Sequence, residues 1–310
     1  FGEYLKDAIC IPNGVVHKIG DVHSYIKDSK ENLTTILCED GTNVSADLFI
    51  DCTGFKSMLL EGWMGQEFIP FDKHLANDSA WACRLPYTNR EEQMHNITDC
   101  HALGNGWVWN IPLWSRIGTG YCFSSRFISA EGAQIEFKEH LEATYGKEIA
   151  EAADMFHIKI KHGYRRKAFV KNVVGIGLSY GFVEPLESTG LLTTHENILK
   201  LVDLINRRKG YITNSEKEAY NFSVEYDLVG FRDFVSMHYA LSMRTDTPYW
   251  RWATQTNEYH PLQFNDFIPQ YNVYTNLLVA LQSANTFQEA NQGANYIAAG
   301  MGIATYSTPE

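Results

Sequence analysis

The sequence predicts an α/β protein with a mixed β-sheet in residues 1–210 and a mainly helical layer in residues 211–310. Residues 172–178 form a β-branched, glycine-containing run typical of a buried strand. From Leu191 onward, apolar residues recur with a period close to 3.6, which predicts an amphipathic helix. After residue 210 the apolar spacing stays helical and aromatic residues become dense. A strand, a glycine-bearing turn and a helix in this order are typical of an open α/β sheet, whose strand ends face a ligand crevice.

Composition argues against several classes of function. With 45% hydrophobic and 20% charged residues over 310 positions, this is ordinary globular composition. The net charge of −11 argues against a nucleic acid or an anionic membrane as partner. The six cysteines form no C-x-x-C pair, and the eleven histidines show no zinc-ligand spacing. No apolar run reaches the roughly 18 residues of a membrane span. We therefore expect a cytoplasmic protein with reduced thiols and no bound metal.

The first predicted strands form a hairpin. Residues 33–38 and 44–50 flank an Asp40–Gly41 pair, which suits the positive φ of a tight turn. The second strand runs directly into Asp51-Cys52-Thr53-Gly54. An acid and a glycine at a strand end can offer backbone to a nucleotide, and they can equally well be an ordinary loop start.

A further strand and helix follow in the middle of the chain. Residues 117–125 are rich in aromatic and small residues and predict a strand. Ser129 is placed to cap a helix that stops at Gly146. The apolar face of this helix recurs at four-residue intervals, at Ala133, Phe137, Leu141 and Tyr145. Polar turns at residues 213–215 and 245–248 then divide the helical part.

A carboxylate stands beside a predicted helix start in residues 181–192. Glu187 directly precedes Ser188-Thr189-Gly190, and the capping-box spacing of Thr193 and Glu196 places the helix start within residues 188–194. Unpaired N–H groups at a helix start attract anions, so this is a candidate anion site with an acid next to it. The alternative is that Ser188 and Thr189 only cap the helix and that Glu187 is a solvated acid.

Two tryptophans form the second candidate motif. Trp107 and Trp109 are two residues apart, so they point to the same face of an extended segment that Pro112 ends. Their bulk could wall off a cofactor; the alternative, which the motif taken alone favours, is that they are core or domain-interface aromatics.

Taken together, these two motifs resemble those of the flavin-dependent halogenases of the tryptophan halogenase family. The matching elements are Trp107-x-Trp109-x-Ile111-Pro112 and residues 182–190, Phe-Val-Glu-Pro-Leu-Glu-Ser-Thr-Gly. The resemblance implies a fold like that of the FAD-dependent monooxygenases, of the glutathione-reductase type. Residues 1–210 would then be the FAD- and halide-binding domain, and residues 211–310 the substrate side.

The resemblance also implies roles for individual residues. The backbone N–H groups of Thr189 and Gly190 would hold the halide, Glu187 would be the acid at the reacting centre, and Ser188 would help to order it. The FAD contacts would come from Gly54, Ser179, Leu191 and Leu192. Trp107 and Trp109, with Ile111 and Pro112, would shape the site and obstruct direct approach of substrate to the flavin.

The activity that the resemblance implies is halogenation of an electron-rich aromatic, such as tryptophan or another indole. Reduced FAD from a separate flavin reductase would serve with O₂ to oxidise chloride or bromide, and a lysine would present the oxidised halogen to the ring. The family is compatible with a homodimer. Substrate identity, regiochemistry, free or carrier-bound substrate, and halide preference stay open. Tyr249, Trp250, Trp252, Tyr259 and Phe264 could sandwich an indole or belong to the core.

The sequence also departs from the family pattern. It contains no G-x-G-x-x-G fingerprint, and Gly175-Ile176-Gly177 has the wrong spacing for one. The family's lysine is not identifiable either. We therefore expect the N-terminal βαβ portion to be missing from these residues. A flavin-dependent aromatic monooxygenase and a non-catalytic flavoprotein fragment remain as alternatives to a halogenase.

Overall fold

The computed structural model describes residues 1–240 and 242–256. The strands are β1 (Val22–Lys27), β2 (Leu33–Cys38), β3 (Asn43–Ser45), β4 (Phe49–Asp51), β5 (Phe68–Pro70), β6 (Ser79–Leu85), β7 (Asp99–Leu103), β8 (Gly106–Pro112), β9 (Ile117–Phe123), β10 (Phe156–Lys159), β11 (Gly163–Arg165), β12 (Phe169–Val170), β13 (Val173–Gly175) and β14 (Gly181–Phe182). The α-helices are α1 (Gly2–Tyr4), α2 (Arg90–Gln93), α3 (Ala130–Tyr145), α4 (Lys147–Ala152), α5 (Thr189–Arg208), α6 (Asn214–Ala240) and α7 (Pro248–Arg251).

A five-stranded antiparallel sheet, in the order β10-β6-β9-β8-β7, separates two apolar cores. On one face it packs against α3, whose Ala133, Phe137 and Leu141 are fully buried. The other face contributes Trp107 to the larger core, which also contains residues of α5 and α6. As predicted, Ser129 caps α3, because its Oγ accepts a hydrogen bond of 3.1 Å from the N–H of Gly132.

The mixed sheet of the predicted α/β fold is the three-stranded sheet β12-β13-β4. β13 runs parallel to β4, with Gly175 opposite Asp51, and antiparallel to β12. The predicted strand within residues 172–178 is thereby confirmed as β13. Since β4 and β13 are parallel, their carboxyl ends and the turns that follow them lie side by side.

The predicted hairpin is confirmed in its first half and corrected in its second. β2 pairs with β3 across the Asp40–Gly41 turn, and Gly41 has φ +80°. The predicted second strand, residues 44–50, is not continuous. It ends at Ser45, and the chain resumes as β4 in a different sheet, beside β13. The sequence pattern does not show this break, because residues on both sides of it have strand propensity.

Helices α5 and α6 cover the mixed sheet and complete the larger core. Of the apolar stripe predicted for α5, Leu201 and Leu204 are buried, whereas Leu191 is 84% exposed. The larger core contains residues on both sides of the predicted domain boundary at 210, which stays a prediction. Within the described residues, no helix combines the length and apolar character needed to cross a membrane. In the same part of the chain, no three His, Cys, Asp or Glu residues converge as a metal site would require.

Candidate active site

Two glycine turns lie next to each other at the carboxyl ends of the parallel strands. The turn after β4 begins at Gly54 with φ +68°, and the turn after β13 begins at Gly177 with φ +67°. A side chain at Gly54 would meet no atom within 4 Å, so the backbone there borders open space. This is the edge of an α/β sheet at which ligands bind.

The polar residues of these turns serve the fold. Asp51 is fully buried, and its carboxylate accepts hydrogen bonds from the N–H groups of Thr53, Leu59 and Leu60 at 2.8–2.9 Å. Ser179 is also fully buried, and its hydroxyl lies within hydrogen-bond distance of the carbonyl oxygens of Asp51 and Ile176 and donates to one of them. The Ser179 side chain therefore fixes one turn against the other strand and does not reach open space, so the structure gives no support to its predicted contact with FAD.

Residues 181–190, here called the active-site segment, run between two cavities. The first cavity has a volume of about 270 Å³ and is lined by Gly177, Phe182, Thr189, Gly190, Leu191 and Leu228, among others. The second has a volume of about 390 Å³ and is lined by Trp107, Leu186, Glu187, His238, Tyr239 and Trp250, among others. The sequence motif is therefore a shared wall: Thr189 and Gly190 face one cavity and Glu187 faces the other.

The start of α5 is open to the first cavity. The helix begins at Thr189, within the predicted range, after Ser188 in the left-handed conformation with φ +54°. The predicted capping box is wrong: no side chain caps the helix, and the Thr193 hydroxyl instead donates to the carbonyl of Thr189 at 2.7 Å. A Cβ at Gly190 would meet no atom within 4 Å. The N–H groups of the first turn thus lack a side-chain cap and border free space, as an anion site requires.

The apolar residues after Gly190 are exposed. Leu191 is 84% exposed and Leu192 is 49% exposed. Two leucines on a helix start beside a cavity form the kind of apolar surface on which a flat ring system can lie.

Glu187 is paired with a histidine of α6. Its Oε1 lies 2.7 Å from Nε2 of His238, which is 10% exposed. The Nδ1 atom of His238 lies 2.9 Å from the carbonyl oxygen of Phe234, which can only accept. Nδ1 is therefore the donor in this contact, and Nε2 faces the carboxylate at a distance over which a proton can pass. A carboxylate that holds or releases one proton beside an aromatic-lined cavity can act as a general acid or base.

A second carboxylate of the active-site segment is buried behind the first. Glu184 has no exposed surface; its Oε1 accepts a hydrogen bond from the hydroxyl of Tyr239, and its Oε2 accepts one of 2.9 Å from Nδ2 of Asn77. The indole N–H of Trp107 is close enough to favour the carboxylate but lies outside hydrogen-bond geometry. Burial raises the pKa of Glu184 to about 7, against the lowering effect of its two hydrogen bonds.

The two tryptophans occupy one face of β8, as predicted. Their ring centroids are 6.1 Å apart with the planes at 61°. Trp107 is buried and lines the second cavity, whereas Trp109 is half-buried and packs against the same core. Gly120 lies opposite Trp109 in the sheet, and a Cβ there would overlap the Trp109 ring. Ile111 and Pro112 are half-buried at the end of β8, where pairing stops.

The predicted aromatic pocket of the C-terminal layer is mostly core. Tyr249 is 1% exposed and Trp250 is 5% exposed, and both belong to the larger core, although Trp250 also lines the second cavity. Trp252 is half-buried against that core. Tyr259 and Phe264 lie outside the described residues.

Sequence analysis missed four residues that the structure brings to this site: Asn77, Glu184, His238 and Tyr239. Three of them come from elements far along the chain, with Tyr239 at 55 and Asn77 at 107 positions from Glu184. Glu184 was within the motif but was not singled out. Its place between Val183 and Pro185 was the available signal, because a carboxylate flanked by apolar residues is often buried and paired.

Solved structures similar to this one include flavin-dependent halogenases. A structure described as VirX1 in its apo form is 53% identical, with a TM-score of 0.84 over 97% of this chain and 57% of that chain. The tryptophan 6-halogenase SttH from Streptomyces toxytricini is 29% identical, with a TM-score of 0.77 over 97% of this chain and 55% of the other. The fold is therefore that of the flavin-dependent halogenases, which confirms the predicted fold class.

The family itself is shown by sequence. The tryptophan halogenase family model matches residues 1–308, and the chain belongs to that family. The tryptophan 7-halogenase RebH of Lentzea aerocolonigenes is 35% identical over 240 residues, which are 77% of this chain and 44% of RebH. The tryptophan 7-halogenase KtzQ of Kutzneria sp. (strain 744) is 36% identical over 237 residues. The chain thus spans less than half the length of these curated relatives.

Proposed function

We propose that the protein is an FADH₂-dependent halogenase that uses O₂ and chloride or bromide to halogenate an electron-rich aromatic, such as tryptophan or another indole. One observation carries the proposal: the active-site segment separates an uncapped helix start from a paired carboxylate, each facing its own cavity. This arrangement keeps the place where a halide is held apart from the place where an aromatic ring meets an acid–base group.

The residues of the first cavity fit a flavin and a halide. Gly177, Leu191 and the first turn of α5, with N–H groups near Thr189 and Gly190, line this cavity. Outside its lining, Gly54 leaves backbone free in the neighbouring turn and Leu192 adds apolar surface. Bound there, reduced FAD would give two electrons to O₂, and the oxidant so formed would take two electrons from the halide. We infer that Gly54, Leu191 and Leu192 contact FAD and that Thr189 and Gly190 hold the halide.

The second cavity would hold the aromatic substrate. Trp107, Leu186 and Trp250 give it apolar walls, and Glu187 with His238 gives it one polar side. Glu187 can accept the proton that the ring loses on halogenation and can pass it to Nε2 of His238, which lies 2.7 Å away and can take up a proton while only Nδ1 carries one. Ser188, in the left-handed conformation, sets the turn that aims Glu187 and α5 to opposite sides. Trp107 and Trp109 keep the substrate side apart from the flavin side.

The proposal is tested with the complete protein, a flavin reductase, O₂ and either halide, against a panel of indoles, phenols and free tryptophan. Mass spectrometry should show a brominated or chlorinated product, and Glu187→Gln should remove most of the activity, by about 100-fold or more, because it removes the acid–base group. Glu61→Gln is not a suitable control, because Glu61 forms an ion pair with the buried Arg165. Glu225→Gln is the better control, and the Glu225 side chain is half-buried.

Other outcomes separate the alternatives. Product that gains oxygen in the absence of halide would identify an aromatic monooxygenase instead. Absence of any product from the complete protein, with both halides and across the panel, would contradict an enzymatic function and favour a non-catalytic flavoprotein. If reduced FAD from an unrelated reductase sustains the activity, this result supports a separate flavin reductase as the partner.

A further inference from the structure

Two side-chain bridges connect the active-site segment to helix α6. Glu187 meets His238 at 2.7 Å, and Glu184 accepts a hydrogen bond from Tyr239, the next residue of the helix. The two carboxylates are three positions apart: Glu184 directly precedes the 3₁₀ turn Pro185–Glu187, and Glu187 is its last residue. The outer bridge borders the second cavity with a 38% exposed carboxylate, whereas in the inner bridge Glu184 has no exposed surface and Tyr239 is 6% exposed.

The inner bridge is reinforced from a third part of the chain. Nδ2 of Asn77 donates to Glu184 at 2.9 Å and lies 3.0 Å from the Tyr239 hydroxyl oxygen, so the three side chains form a closed triangle. Each oxygen of Glu184 then has a donor, and the ionised form is the one that this triangle satisfies. A buried network of this kind fixes its members in one arrangement.

We propose that Glu184 is a positioning residue: through Tyr239 it holds the active-site segment against α6 in the register at which Glu187 meets His238. The proposal rests on the proposed function insofar as Glu187 is the acid–base group. Glu184 itself is enclosed and touches neither cavity directly, so it acts only through the residues that it holds.

Protonation of Glu184 would break the triangle. A protonated carboxyl needs an acceptor, whereas Tyr239 and Asn77 both present donors to it. The titratable groups that act on Glu184 or are acted on by it are His238 and Tyr239 on α6, Tyr249 on α7 and Cys122 on β9. Burial raises the pKa of Tyr239, Tyr249 and Cys122 well above their usual values, so these three stay neutral. Among these neighbours, His238 is therefore the group whose positive charge, when it is protonated, lowers the pKa of Glu184.

The experiment uses the complete protein with Glu184→Gln, Tyr239→Phe and the matched control Glu225→Gln. Glu225 accepts a 2.8 Å hydrogen bond from Tyr164 and lies on the same helix, but neither residue of this pair lines the two cavities. In Glu184→Gln the amide of Asn77 can turn over, because its Oδ1 is buried without a partner, and can accept from the new amide group. This variant therefore removes the charge and keeps the packing.

We expect the wild-type kcat to fall as the pH drops below about 7, where Glu184 takes up its proton. Glu184→Gln should show a kcat that is level across that range. Tyr239→Phe should lower kcat by about tenfold with KM for the aromatic changed less than about twofold, since it loosens Glu187 without removing a cavity wall. Glu225→Gln should keep the wild-type profile. A Glu184→Gln variant with the wild-type pH profile would overturn the proposal.

A second measurement needs no turnover. With ¹⁵N-labelled histidine, the His238 signal, assigned by its loss in His238→Gln, should shift in both Glu184→Gln and Tyr239→Phe and stay unchanged in Glu225→Gln. An unchanged His238 signal in both variants would refute the positioning role even if halogenation is observed. Conversely, shifted signals in a protein that halogenates nothing would leave the bridge in place and reject the proposed function.

Discussion

At the scale of single residues, the contact between Glu187 and His238 is the feature with the clearest chemical consequence. We expect His238→Gln to lower kcat by about 10- to 100-fold, because glutamine can still donate to the carboxylate but cannot take up a proton from it. The KM for the aromatic should change little, since the volume of the side chain is kept. Steady-state kinetics of the complete protein measure both. His195→Gln, on the exposed side of α5, is the control and should behave as wild type.

Residue-level prediction from the sequence succeeded where the signal was local. The range predicted for the helix start, residues 188–194, contains the observed start at Thr189, although the capping box of Thr193 and Glu196 from which it was predicted does not form. The partners of the acids could not be found in this way. His238 and Tyr239 lie on a helix whose sequence shows only that it is helical, and their contacts depend on how α6 packs across the active-site segment.

At the scale of elements, the pair β8 and β9 shows how small residues create room for large ones. Gly120→Ala should destabilise the protein by about 1–3 kcal/mol, because the added Cβ would overlap Trp109 and lie 2.6 Å from the carbonyl oxygen of Trp81. Chemical denaturation measures the loss, and tryptophan fluorescence reports the displaced ring. Gly118→Ala is a matched control on the same strand and face, since its Cβ would come no closer than 3.6 Å to another atom. Equal stability of the two variants would show that the ring and strand relax freely.

Element-level prediction was good for type and weaker for connection. The same-face placement of Trp107 and Trp109 follows from the two-residue period of a strand, and the structure confirms it. The length of the strand predicted for residues 44–50 was wrong, because sheet membership is decided by pairing with β13, far along the chain. A propensity pattern carries no information about that partner.

At the scale of the whole molecule, buried ionisable groups tie stability to pH with opposite signs. Burial lowers the pKa of His162 to about 4, and its Nε2 donates to the carbonyl of Asn77 while its Nδ1 is buried without a partner. Burial also lowers the pKa of the half-buried His74 to about 4. Glu184 shifts the other way, to about 7. None of this follows from the sequence, in which these three residues are unremarkable, because each shift depends on tertiary burial.

These shifts fix the sign of a stability prediction. Between pH 6.5 and about 4, the unfolded chain binds a proton at His162 that the folded protein does not, so the free energy of unfolding falls as the pH drops. The contribution of His162 is about 1.4 kcal/mol per pH unit within that window. Between pH 7 and 4.5, Glu184 binds its proton more tightly in the folded state, so its contribution to stability rises as the pH drops and is lost as the pH rises through about 7.

Two substitutions should therefore change the pH dependence in opposite directions. His162→Gln keeps a donor for the Asn77 carbonyl and should make the fall in stability from pH 6.5 to 4 shallower, because the group that the unfolded state protonates is gone. Glu184→Gln should make it steeper between pH 7 and 4.5, because it removes the opposing contribution. Urea denaturation of the complete protein at closely spaced pH values measures both slopes. Parallel curves for the two variants and the wild type would mean that neither group titrates differently in the folded and unfolded states, and so that the interior around Asn77 admits water.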